Sequence, residues 1–149
     1  MTISAIDFGR LYRDHLSAAA RKPKPASEWD SRASEMKYKS LKNTYVEQFV
    51  GRMDLAGSST LLDVGCGPGT ICLSVADRLS KVIGLDYSKG MLDALMENAI
   101  ARQLENVETR HLSWEDDWSD VPVCDIVVAS RSTTVEDMAT ALFKLDAKA

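Results

Sequence analysis

Two patterns of apolar residues meet near residue 58. Before it, apolar positions recur only at helical spacing. A first helix places Phe8, Leu11, Tyr12, His15, Leu16 and Ala19 on one face, with His15 read as a packing histidine. Pro23 and Pro25 break it, since neither can supply a backbone donor. Ser27 is the expected N-cap of a second helix carrying Trp29, Ala33 and Met36. A third carries Leu41, Tyr45, Val46, Phe49, Val50 and Met53, ahead of a loop over 54–59.

From Thr60 the pattern alternates. A strand over 60–64 leads to a helix over 70–79 with Ile71, Val75, Ala76 and Leu79 inward. A strand over 81–86 leads to a helix capped by Ser88, with Met91, Leu92, Leu95, Met96, Ala99 and Ile100 along one face. A third strand is expected over 106–110, then a polar loop over 111–118 and a buried strand over 124–129. Thr133 with Glu136 reads as the capping box of a last helix carrying Val135, Met138, Ala139, Leu142 and Leu145. Such alternation predicts an α/β fold with a parallel sheet and right-handed crossovers. The expected division is an N-terminal helical extension over 1–58 and a sheet-containing core over 59–149.

The join between the first strand and its helix carries the chemistry. Leu61-Leu62-Asp63-Val64-Gly65-Cys66-Gly67-Pro68-Gly69-Thr70 runs from an apolar strand through an acid into a turn with glycine at every second position. Missing Cβ atoms let such a turn take positive φ and let a ligand touch bare backbone. The following helix would aim free N–H groups at that ligand. A dinucleotide fingerprint, G-x-G-x-x-G, needs glycine where Thr70 stands. Asp86, 17 residues past Gly69, ends the second strand, near where Rossmann-like sheets hold ribose hydroxyls.

With D-x-G-x-G-x-G followed by a strand-end acid, residues 60–147 resemble the class I S-adenosylmethionine-dependent methyltransferases. The resemblance implies a Rossmann-like sheet of order 3-2-1-4 that lacks the family's last strands, and S-adenosylmethionine as cofactor. It places Gly65, Cys66, Gly67 and Gly69 around the methionine part, with Asp63 just behind. It places Asp86 on the ribose, and Tyr87 and Met91 beside the adenine, although Met91 fits the helix's core face equally well. Where the family carries a small residue followed by Asp and Ala, this chain reads Ser113-Trp114-Glu115-Asp116. Ser113 and Trp114 are therefore the expected adenine contacts, with Glu115 or Asp116 as alternative carboxylates.

Methyl transfer from a sulfonium is an in-line displacement in which positioning supplies much of the rate, so no catalytic residue is assigned. After the fourth strand Arg131 offers a planar fork for a substrate oxyanion, or is a solvated loop arginine. Trp29, with Arg32 and Tyr38, belongs to an expected lid or simply packs on the sheet. The Asn/Asp-Pro-Pro-Tyr/Phe signature of amino methylation on nucleobases is absent. An apolar fourth strand at the sheet's edge reads as the mark of a longer domain cut short, with pairing to a second copy as its expected consequence, or as an edge that pairs with a second copy or receives strands from a partner. Two functions stay open: a methyltransferase acting on a small molecule, and a cofactor-binding module that is incomplete or needs a partner. A nicotinamide dehydrogenase is a third, disfavoured by Thr70.

Composition narrows the setting. The 149 residues carry a net charge of −4, which argues against nonspecific nucleic-acid binding, a matter of phosphate neutralisation. The one basic cluster, Arg21-Lys22-Pro23-Lys24, is broken by proline and reads as a solvated connector. No apolar run reaches membrane-spanning length, and the first residues lack a secretory signal pattern. Cys66, Cys72 and Cys124 cannot all pair within one chain and have no metal-ligand spacing. Buried reduced thiols and a cytoplasmic location are the expectation.

Overall fold

The computed structural model describes residues 3–19, 22–37 and 43–149. Four parallel strands, β1 (Thr60–Val64), β2 (Lys81–Asp86), β3 (Val107–His111) and β4 (Ile126–Val128), form one sheet in the order β3-β2-β1-β4. β1 takes the centre, where both faces are covered, because Leu61, Leu62 and Val64 leave it no side suited to water. Leu61 stands in register with Val82 on one side and Ile126 on the other. The chain order reverses at β1, so a crevice opens above the carboxyl ends of the strands. That crevice holds the site described below.

The pleat sends alternate residues to two cores. Leu61, Val82 and Val128 pack with Val75, Leu92, Leu95 and Ala99 on one face. Leu62, Val64, Ile83 and Leu85 meet Trp118, Val121 and Cys124 on the other. The helices are α1 (Phe8–Ala18), α2 (Ala26–Lys37), α3 (Thr44–Val50), α4 (Cys72–Val75), α5 (Lys89–Ala101) and α6 (Met138–Asp146). On α2, Ala33 is buried against Met91 and Ala94 of α5, with Trp29 and Met36 beside it. Ser88 caps α5 as expected, its hydroxyl accepting from the Met91 N–H at 3.2 Å. All three cysteines are free and buried.

Several local expectations give way to tertiary contacts. The helix expected over 70–79 is only one turn, α4, followed by a 3₁₀ turn over Ala76–Arg78. Its end is satisfied from elsewhere: the Asn106 amide donates to the carbonyls of Ala76 and Leu79, both at 2.8 Å. Ser27 lies inside the first turn of α2, which starts at Ala26 directly after Pro25, so Ser27 is not the cap. Asn43 caps α3, accepting from Val46 N–H at 3.0 Å, and the helix stops at Val50, before Met53. Tyr38 and Leu41 lie outside the described residues, as does Arg21.

The Thr133–Glu136 capping box does not form. Asp137 caps α6 instead, accepting from Thr140 N–H at 3.0 Å, because residues 132–135 are drawn over the crevice. β4 is shorter than the expected 124–129: Asp125 turns its carboxylate to the N–H groups of Ser59 and Thr60 at 2.8 and 3.0 Å. Among the described residues no strand pairs with the outer edge of β4. His15 is exposed rather than packed. The outer helices bury less than their stripes predict: Phe8 is 60% exposed, Ile100 70% and Leu142 54%. Among the described residues no helix is long and apolar enough to cross a membrane.

Candidate cofactor and substrate site

The crevice above β1 is a cavity of about 1210 Å³. Small-ligand pockets run roughly 300–1,000 Å³, so this one has room for two ligands side by side. Its floor is the glycine turn. Gly65 and Gly67 both have positive φ, +71° and +54°. They differ in what surrounds them. A Cβ on Gly65 would sit 2.2 Å from the Ser132 Cβ, so glycine there lets the β4–α6 loop press onto the turn. A Cβ on Gly67 would meet nothing nearer than the Met91 sulfur at 4.0 Å, so Gly67 offers bare backbone to the cavity. Gly69 faces the other way, toward Leu73 and Leu95 in the core.

Two acids stand at the strand ends. Asp86 ends β2, 7% exposed and lining the cavity. Its Oδ2 accepts from Gly67 N–H and its Oδ1 from Ser88 N–H, both at 2.9 Å. Burial raises its pKa, opposed by those N–H groups, so the carboxylate is held in place with lone pairs to spare. Asp63 is 1% exposed and turns away from the cavity, its Oδ2 accepting from the Cys72 N–H at 3.2 Å. Burial pushes its pKa up to about 7, against the pull of that N–H. The Cys66 thiol is likewise pushed well up by burial, which makes it a poor nucleophile at neutral pH.

Of the residues singled out in the sequence, Gly65, Cys66, Gly67, Asp86, Tyr87, Met91, Ser113, Trp114, Trp29 and Arg131 line one cavity. Asp63 and Gly69 support it from beneath. Met91 does both jobs that its pattern left open: it is buried against α2, and it lines the cavity. Asp116 does not reach the cavity. Its Oδ2 accepts from the Ser113 N–H at 2.7 Å and hydroxyl at 3.0 Å, which ties off the turn and holds the carboxyl below its usual range. Glu115 lines the cavity instead.

The N-terminal helices wall the cavity at both ends: Trp29 of the expected lid lines it and Arg32 does not, while Tyr45 lines it without having been singled out for the site. At the β2 end Asp30 of α2 accepts from the Ser88 hydroxyl at 2.6 Å and the Gly90 N–H at 2.8 Å. Those two donors hold the Asp30 carboxyl below its usual range. The Tyr87 hydroxyl donates to the Lys24 carbonyl at 2.7 Å, and Lys22, Pro23 and Lys24 line the cavity. At the β4 end the Tyr45 hydroxyl of α3 meets Ser130 Oγ at 2.6 Å. Tyr45 reads as one more apolar position of its stripe, and Asp30 as a surface acid. Neither carries a local signal, because the partners lie 85 and 58 residues away.

Comparison with known proteins gives the family and the fold. Residues 61–145 match a family model described as a methyltransferase domain. An uncharacterized protein of Haemophilus influenzae is 41% identical over the whole chain, which spans 56% of that relative's length. Demethylmenaquinone methyltransferase of Oceanobacillus iheyensis is 33% identical across 57% of this chain and 37% of its own. A 23S rRNA (uracil(1939)-C(5))-methyltransferase of Alcanivorax borkumensis is 30% identical across 66% of this chain and 21% of its own. The fold is shared with a SAM-dependent methyltransferase of Aquifex aeolicus, with a TM-score of 0.64 and 20% identity, covering 78% of this chain and 64% of that one. It is also shared with coclaurine N-methyltransferase bound to N-methylheliamine and SAH, at TM-score 0.62 and 16% identity, over 95% of this chain and 54% of that one.

Proposed function

The chain belongs to the methyltransferase domain family, and from that premise we propose that it binds S-adenosylmethionine and transfers its methyl group to a small molecule. The observation that carries this reading is Asp86, a buried carboxylate fixed at the end of β2 beside the exposed backbone of Gly67. A ribose diol is a pair of donors suited to such an acceptor. Gly67 leaves the space that a sulfonium-bearing tail needs against the turn. Tyr87, Met91, Leu112 and Trp114 give flat and polarizable surface for adenine. Bound there, the cofactor supplies an electrophilic methyl group, and no protein nucleophile is required.

The chain's own part is positioning and exclusion of water. Asp86 and the glycine turn fix the donor end. The 130–135 loop fixes the other wall: Ser132 Oγ donates to the Val64 carbonyl at 2.8 Å, and Trp114 Nε1 donates to the Ser132 carbonyl at 3.1 Å. Trp29 and Lys24 add to the wall on the β2 side. The net charge of −4 supports a small acceptor over a polynucleotide. Calorimetry with S-adenosylmethionine and S-adenosylhomocysteine tests the cofactor, and failure of both to bind would sink the reading. Radiolabelled methyl transfer to a metabolite panel and to total RNA then tests the acceptor; label in RNA alone would refute a small-molecule acceptor.

A second reading is a cofactor-binding module that acts only with a partner or a second copy. It draws on the unpaired edge of β4 and on the exposed Leu142 and Phe143 of α6. Light scattering during turnover separates the two, since a stable, active monomer excludes the partner-dependent module.

A further inference from the structure

The loop from β4 to α6 brings to the cavity a cation that the contacts above do not use. Arg131 lines the cavity with φ at +56°. Long side chains seldom adopt that left-handed conformation, and they keep it only where the surroundings impose it. The surroundings do so here. Ser130 is held by Tyr45, Ser132 by Val64 and Trp114, and the Thr133 carbonyl accepts from the Tyr12 hydroxyl at 3.4 Å. The guanidinium carbon of Arg131 lies 4.0 Å from the centroid of the Tyr45 ring. A guanidinium held over a ring by cation–π attraction keeps N–H donors for a further partner. Among the described residues Arg131 forms no ion pair, although Asp86, Glu115 and Glu136 line the same cavity.

Position within the sheet says what this cation faces. Asp86 ends β2 and Arg131 follows β4, the two strands that flank β1. At about 4.8 Å per strand their ends stand roughly 10 Å apart. That is the reach of an extended methionine tail from the ribose that carries it. Between them lies Gly65, with Ser132 pressed onto it.

We propose that Arg131, stacked on Tyr45, is the carboxylate-binding residue of the cavity. The proposal rests on the S-adenosylmethionine reading. The carboxylate belongs to the cofactor's methionine moiety or to the methyl acceptor, and both offer the planar oxyanion that a guanidinium edge grips in two places.

Arg131→Asn removes the fork yet suits the backbone, because asparagine tolerates positive φ better than most residues. Arg131→Lys keeps the charge without the fork, and circular dichroism checks that both variants fold. Calorimetry on the wild type and both variants uses S-adenosylhomocysteine and 5′-methylthioadenosine, which lacks the amino-acid tail. Benzoate is then titrated into each protein saturated with S-adenosylhomocysteine. If the cofactor's carboxylate is held, R131N binds S-adenosylhomocysteine tenfold or more weakly, R131K recovers part of the loss, and methylthioadenosine is unaffected. If the acceptor's carboxylate is held, S-adenosylhomocysteine is unaffected and benzoate binding seen in the wild type is lost in R131N. Equal binding by wild type and R131N in every arm overturns the proposal, as does parallel weakening of both nucleosides. A wild type that binds neither nucleoside overturns the cofactor reading itself.

Discussion

Asp63 makes the stability of this protein fall as pH rises from 3.8 to about 7. Its carboxyl is buried beneath the glycine turn, and the hydrogen bonds from Cys72, its N–H at 3.2 Å among them, do not offset the cost of burying a charge there. Burial lifts its pKa from 3.8 to about 7. Between those values the folded chain keeps a proton that the unfolded chain has released, so each rise in pH favours unfolding. Above about 7 both states are ionised and the penalty is complete. At about 1.36 kcal/mol per pH unit, the rise from 3.8 to about 7 amounts to at most about 4 kcal/mol. Asp63→Asn keeps an acceptor for Cys72 and removes the titration. Urea denaturation of both proteins at pH 4.5 and pH 8 reads the difference, with every other titrating group cancelling. With m near 2 kcal/mol per M, the midpoint of D63N should gain on that of the wild type by up to about 2 M urea between the two pH values. Parallel midpoints across that range would refute a proton held on Asp63.

The glycines of the turn separate stability from binding. Gly65→Ala must accommodate Ser132 at 2.2 Å and a φ of +71°, and should cost about 2–4 kcal/mol in urea denaturation. Gly67→Ala has open space around it and should cost only about 1–2 kcal/mol of conformational strain while losing tenfold or more in S-adenosylhomocysteine affinity by calorimetry. A Gly67→Ala protein that binds like the wild type would remove Gly67 from the site. Asp86→Ala strips the acceptor from the end of β2 and should weaken both S-adenosylhomocysteine and adenosine tenfold or more; unchanged adenosine binding would show that Asp86 does not hold a ribose. Asp30→Ala releases the N-terminal helices from α5, and should speed proteolysis at the connector around Lys24 and weaken S-adenosylhomocysteine severalfold. Cleavage at the wild-type rate would mean that Asp30 does not fasten α2 to α5.

Local pattern was enough for the elements of the sheet and for the cofactor turn. Apolar strands at 60–64 and 81–86, glycines at alternate positions and an acid at a strand end are all consequences of near neighbours in the chain. The family resemblance those residues carry also implied the order β3-β2-β1-β4, and the strand-end acid and the glycine turn meet where β1 and β2 lie side by side. The sequence determined that much by itself. Tertiary contacts decided the rest. Asn106 shortened the helix after the turn by satisfying carbonyls 27 and 30 residues earlier. The loop drawn over Gly65 delayed α6 past its apparent capping box to Asp137. Tyr45 became a prop for Arg131, and Asp30 a fastening for α5, through partners dozens of residues away. A helical stripe reports only that one side of a helix is apolar; which cavity that side closes depends on where the chain returns in space.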